Sequence, residues 1–163
     1  MTSFDYTGAF AYTLTLNTAN AIRAFDEPEF VEQCLRVLAE AGQLQGFEIR
    51  AYCFMPDHVH LLVIGSEQSE LIPFMKRFKQ LTAHWYKHVR GAVLWQRSYY
   101  DRVLRREEDI GGAADYIWDN PVRAGVIEDR RDYCWSGPRE FMGPDRPEGL
   151  SLRSPRPAGA SRG

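Results

Sequence analysis

The chain has 163 residues, the length of one domain, and its 44% hydrophobic and 13% aromatic content excludes a disordered chain. A net charge of −2 excludes a protein that coats nucleic acid by bulk positive charge. The charge is segregated, however: residues 1–75 sum to −7, whereas residues 76–106 carry nine basic residues against Asp101 and sum to +8, which points to a local polyanion-binding surface.

Ala9–Leu16 is rich in β-formers and aromatics and predicts a first strand. Glu27–Ala41 spaces Phe30, Val31, Cys34, Leu35, Val37 and Leu38 as a helix does, with Pro28 in its first turn and Gly42 and Gly46 closing it. Phe47–Phe54 alternates as a second strand, with Phe47, Ile49, Ala51 and Cys53 on one face. Met55-Pro56-Asp57 turns the chain into a third strand over Val59–Ile64. Ser69–Val89 predicts the longest helix, with a buried stripe of Leu71, Phe74, Met75, Phe78, Leu81, Trp85 and Val89. Leu94–Leu104 suggests a fourth strand after a loop, and Glu107–Asn120 a further helix, where Pro121 disfavours continuation.

Residues 143–163 are rich in proline and glycine and read as a disordered tail beyond a single domain over residues 1–142. Cys34, Cys53 and Cys134 form no CxxC pair and read as buried small hydrophobes in a reducing compartment. No basic n-region with an apolar core opens the chain and no apolar run reaches about 20 residues, so a cytoplasmic protein without a membrane span is expected. The order β-α-β-β-α-β followed by a helix matches an α+β, ferredoxin-like fold: an antiparallel sheet with two helices on one face, the other face left for a ligand or for the last helix.

Two constellations carry chemistry. His58 and His60, in PDHVHLLV, are two apart on a strand and leave the sheet on the same side. Two imidazoles so placed make half of a divalent-metal site; a pair on a solvated sheet face is the plain alternative. Tyr116 and Asn120, in ADYIWDNPVRAG, are four apart on the predicted helix. The phenol can attack phosphorus and the amide oxygen can ligate a hard cation, although a half-buried tyrosine and a capping asparagine explain the same pair.

PDHVHLLV, LWQRSYYDRVLR and YIWDNPVRAGVI, in this order, resemble the single-tyrosine HUH transposases, in particular the REP-associated tyrosine transposases, over about Phe10 to Trp135. The resemblance implies a ferredoxin-like fold, with His58, His60 and Asn120 as metal ligands for Mg²⁺ or Mn²⁺ and Tyr116 as the nucleophile. The implied reaction is cleavage and rejoining of single-stranded or hairpin DNA through a 5′-phosphotyrosine. It needs no nucleotide, and no GxxxxGK[ST] loop is present. Imidazoles by themselves also accept Zn²⁺ or Ni²⁺.

The basic residues Lys76, Arg77, Lys79, Lys87, Arg90, Arg97, Arg102, Arg105 and Arg106 are then expected to bind DNA. Trp85, Tyr86, Trp95, Tyr99 and Tyr100 are interleaved among them as candidates for stacking on bases or for the core. Arg123 is a phosphate contact or a brace of the helix end. A monomer is favoured over a homodimer. The alternatives are a domesticated, non-catalytic DNA-hairpin binder, a replication or mobilisation nickase, and a small metallohydrolase. The last needs a carboxylate at the metal, and Asp57 is expected to point to the opposite sheet face.

Overall fold

The computed structural model describes residues 9–104 and 107–143. Five strands, β1 (Ala11–Asn17), β2 (Phe47–Met55), β3 (His58–Gly65), β4 (Tyr100–Leu104) and β5 (Ser136–Gly137), form one antiparallel sheet in the order β4-β1-β3-β2-β5. Helices α1 (Pro28–Gln45) and α2 (Leu71–Arg90) cover one face; α3 (Glu107–Trp118), followed by the single turn α4 (Asn120–Arg123), lies on the other. The first four strands and two helices are the ferredoxin-like arrangement expected from the element order. Beyond Gly143 the predicted tail lies outside the described residues.

The pleat sorts the side chains. On β1, Tyr12, Leu14 and Leu16 enter the large core beneath α1 and α2, and Val59, Leu61 and Val63 do the same from β3. The intervening Ala11 and Leu62 join Ala51, Cys53, Met55 and Leu104 in a smaller core under Ala114, Ile117 and Trp118 of α3. Small sheet residues let α3 approach closely. Trp118 closes that core and donates its indole N–H to the Gly137 carbonyl at 2.9 Å.

Five sequence expectations shift. The alternation in β2 is broken by a register irregularity between Ile49 and Ala51. Phe47 and Ile49 therefore pack toward α1 and α2, whereas Ala51 and Cys53 face α3. Gly42 lies inside α1 rather than closing it, because a Cβ there would sit 2.8 Å from the Phe47 carbonyl oxygen; the helix ends at Gly46, in the left-handed region at φ 74°. In α2 the buried stripe runs from Phe78 to Thr82 and Tyr86, leaving Leu81 and Val89 exposed and Trp85 half-buried against Phe30. Thr82 holds a core position because its hydroxyl donates to the Phe78 carbonyl at 2.7 Å and accepts the buried Trp95 indole N–H at 2.9 Å. Finally, α3 stops at Trp118 and Cys134 is exposed, against the longer helix and buried thiol expected. Pro121 brings no N–H to carry the α-helical ladder onward.

Candidate active site

Both histidines of β3 share the face of Leu62, the face covered by α3. The two-residue turn at Pro56-Asp57 delivers them. Thr18, fully buried, donates both its N–H and its hydroxyl to the Asp57 carbonyl, and the Phe25 N–H donates to that of Pro56, each at 3.0 Å. The turn is therefore fixed by neighbours on two segments, and so is what it carries. The His58 and His60 rings stand with centroids 4.9 Å apart, edge to face.

Each imidazole is oriented from behind. His58 Nδ1 lies 2.7 Å from Asp57 Oδ1, and His60 Nδ1 lies 3.1 Å from Thr15 Oγ1. With Nδ1 carrying the hydrogen in both, the Nε2 lone pairs are the ones left to bind. This corrects the expected placement of Asp57. Its carboxylate does not leave on the opposite face; it holds an imidazole, as carboxylates do behind metal-bound histidines. His60 is kept neutral, its pKa lowered to about 4 by burial first and then by the charges of His58 and Arg123. A neutral imidazole is the ligand form, which His60 holds, and the two adjacent rings are a donor pair that fits a divalent cation. Among the described residues no group of three His, Cys, Asp or Glu side chains converges on one point.

A cleft of about 510 Å³ opens beside His60. Its walls are Thr13 and Thr15 of β1, Arg102 of β4, and Asp109, Gly112 and Tyr116 of α3. Asp109, Gly112 and Tyr116 are three and four residues apart and so share one helix face. Gly112 leaves the middle of that face open: a Cβ there would meet nothing within 4 Å. Tyr116 is 59% exposed, and the Arg123 guanidinium lies 3.7 Å from the centre of its ring. One chain thus brings His60 and Tyr116 to a single cavity.

Asn120 opens α4 one turn beyond Tyr116, half-buried, and its carbonyl accepts the Ala124 N–H at 2.9 Å. The sequence signals did not single out Thr15, Asp109 or the supporting place of Asp57. A threonine in a strand and a carboxylate in a turn are too common to stand out before the sheet register is known.

The basic residues divide. Arg102 lines the cleft. Arg77 and Arg90 pair with Glu40 and Glu27 across the α1–α2 layer, on the far side of the sheet. Lys79 donates to the carbonyls of Gln96 and Arg97, both at 3.2 Å, and sits 5.5 Å from the Tyr99 ring centre. Lys76, Lys87 and Arg97 are exposed, and Arg105 and Arg106 lie outside the described residues. Of the interleaved aromatics, Tyr86 and Trp95 are core, while Tyr100 is 70% exposed on the same sheet face as Arg102. No helix among the described residues is long and apolar enough to cross a membrane.

The chain is similar to known proteins in sequence and in fold. A REP-associated tyrosine transposase of Escherichia coli K12 is 28% identical over 91 residues, covering 55% of this chain and 53% of that one. A Haemophilus influenzae protein, provisionally given the same name, is 24% identical over 145 residues and 81% of each chain. Among solved structures, a REP-associated tyrosine transposase bound to a REP hairpin superposes with a TM-score of 0.68, at 20% identity over 83% of this chain and 82% of that one. A provisionally named transposase from Deinococcus radiodurans R1 gives a TM-score of 0.52 at 23% identity, over 72% of this chain and 95% of that one. The family profile described as "Transposase IS200 like" matches residues 9–119, two thirds of the sequence. The chain belongs to the IS200-like transposase family.

Proposed function

We propose that this transposase cuts and rejoins single-stranded or hairpin DNA through a covalent bond to Tyr116, in a site held by one chain. The observation that carries the reading is the shared cleft: the imidazole of His60 and the phenol of Tyr116 line the same cavity, with Arg102 on its third wall. His58, His60 and the Asn120 amide oxygen are the donors for a divalent cation, Mg²⁺ or Mn²⁺. When bound, such a cation neutralises charge developing on a phosphate. Thr15 and Asp57 hold the imidazoles so that Nε2 faces outward.

In the reaction the Tyr116 phenolic oxygen bonds to phosphorus and the bond from phosphorus to the 3′-oxygen breaks. The phenol proton passes to water, and the departing 3′-oxygen takes one from water. Rejoining is the reverse, with a 3′-hydroxyl attacking the phosphotyrosine. Arg102 supplies a phosphate contact beside the reacting bond.

Outside the cleft, Lys76, Lys79, Lys87 and Arg97 offer a backbone-tracking surface together with Arg77 and Arg90, and Arg105 and Arg106, outside the described residues, are further candidates for DNA binding. The Arg77–Glu40 and Arg90–Glu27 pairs are exposed and screened by solvent, so a phosphate can displace the carboxylates. Tyr100 is the aromatic best placed to stack a base. The relative solved on a REP hairpin supports a palindromic substrate.

The test is incubation with labelled palindromic hairpin oligonucleotides and Mn²⁺. A denaturation-resistant protein–DNA adduct is expected from the wild type and not from Tyr116→Phe. An adduct from Tyr116→Phe, or none from the wild type on a broad hairpin panel, overturns the reading. Retained hairpin binding without any adduct favours the non-catalytic binder. Sedimentation of the apo protein is expected to give a monomer.

A further inference from the structure

We infer that Arg123 is a positioning residue for Tyr116: its guanidinium lies on the ring face and holds the phenol toward the cleft, and its charge favours the ring as the ring gains negative charge in attack. This rests on the proposed strand-transfer reaction and adds a residue to it.

The contact is built into the fold. Arg123 closes the one-turn helix α4, whose Pro121 and Val122 are buried against the body of the protein. The turn is then locked. The Ala124 N–H donates to the Asn120 carbonyl, that of Gly125 to Val122 and that of Val126 to Pro121, at 2.9, 3.0 and 3.0 Å. Gly125 adopts φ 75°, a left-handed conformation that other residues resist. This bracket fixes the Arg123 backbone, and from it the guanidinium reaches 3.7 Å from the Tyr116 ring centre.

Its charge is also kept available. Asp119, four residues before Arg123, is the natural helical partner for it. Instead, Arg130 binds Asp119 at 3.4 Å and Asp115 at 2.9 Å, and lies 5.4 Å from the Trp118 ring centre. The Asp119 carboxylate that would draw Arg123 off the ring is thereby occupied by a different arginine. A cation over an aromatic face is attracted by the ring's electron density, and the attraction grows as a phenol moves toward phenolate. An interaction stronger in the transition state than in the ground state accelerates the step rather than tightening binding.

The experiment has two arms, both on the full chain. In the metal-free protein without DNA, NMR is expected to show the Arg123 Cδ protons shifted upfield by the ring current of Tyr116, and Tyr116→Leu to abolish the shift. With Mn²⁺ and labelled palindromic hairpins, Arg123→Gln is expected to slow adduct formation about 10-fold while hairpin affinity stays within about threefold, the size of a favourable cation–π contact. Arg123→Lys is expected to recover part of the rate. An absent ring-current shift, an unchanged adduct rate in Arg123→Gln, or equal losses of rate and affinity would each overturn the inference. Failure of the wild type to form any adduct would instead sink the strand-transfer reading, and the NMR arm separates the two.

Discussion

Replacing Asp57 by Asn tests how the site is prepared for a cation. The carboxylate accepts from His58 Nδ1 at 2.7 Å, a charge-assisted contact, yet the Asp57 side chain is 43% exposed and the His58 side chain 25%. Removing a supporting carboxylate behind a metal-bound histidine generally lowers metal affinity 10- to 100-fold. Partial exposure screens the interaction, which puts the expectation near the lower limit, about 10-fold or roughly 1.4 kcal/mol. Thr15→Val removes a neutral hydrogen bond of 3.1 Å to His60, worth about 1 kcal/mol or roughly fivefold. Because the two substitutions act on different imidazoles of one site, the double variant tests whether they add. Calorimetric titration of the apo protein with Mn²⁺ measures both, with circular dichroism to show that the turn survives. An Asp57→Asn protein that binds Mn²⁺ as tightly as wild type would refute the claim that this carboxylate orients a ligand.

The packing and the buried histidine set further expectations. Gly42→Ala places a Cβ 2.8 Å from a backbone oxygen and is expected to destabilise by about 1–3 kcal/mol in urea unfolding; no loss would show that α1 can slide. Gly111→Ala fills open space in mid-helix and is expected to stabilise by about 1 kcal/mol, raising Tm by a few degrees; a fall in Tm would mean that α3 needs this glycine. In the apo protein, His60 is neutral when folded, its pKa down at about 4 from 6.5 through burial, the His58 charge and the Arg123 charge. Above pH 6.5 both states hold the neutral ring and no penalty exists. Between 6.5 and about 4 the unfolded chain takes a proton that the folded chain does not, so stability falls with falling pH by up to about 1.4 kcal/mol per unit. Urea titrations at pH 5 and 7 should show His60→Gln losing less stability over this interval than wild type; equal losses would contradict the burial of this ring.

Much of the fold follows from local pattern. Period-two alternation marked the central strands and helical spacing marked α1 and α2, because the pleat and the 3.6-residue turn impose those periods whatever the neighbours are. The His58/His60 pair was legible for the same reason: two residues apart on any strand share a face. The β2 irregularity was not, since the extra residue at Ile49/Ala51 exists only relative to β3. Nor was the interior place of Thr82, which depends on Trp95 arriving from another segment to bond it.

The site divides along the same line. The sequence by itself determined which chemistry was present: two imidazoles on one strand face, a tyrosine one turn before an asparagine, and a cluster of cations. Tertiary structure alone decided how they are used. It turned Asp57 onto His58, set Thr15 behind His60, drew Arg77 and Arg90 into pairs across the α1–α2 layer and put Arg102 into the cleft. Arg123 came to rest on the Tyr116 ring while Arg130 took the nearby carboxylates. Side-chain types and short spacings fix what a segment can offer. Which charge meets which ring depends on the packing of segments far apart in the chain, and a net charge of −2 contains none of that geometry.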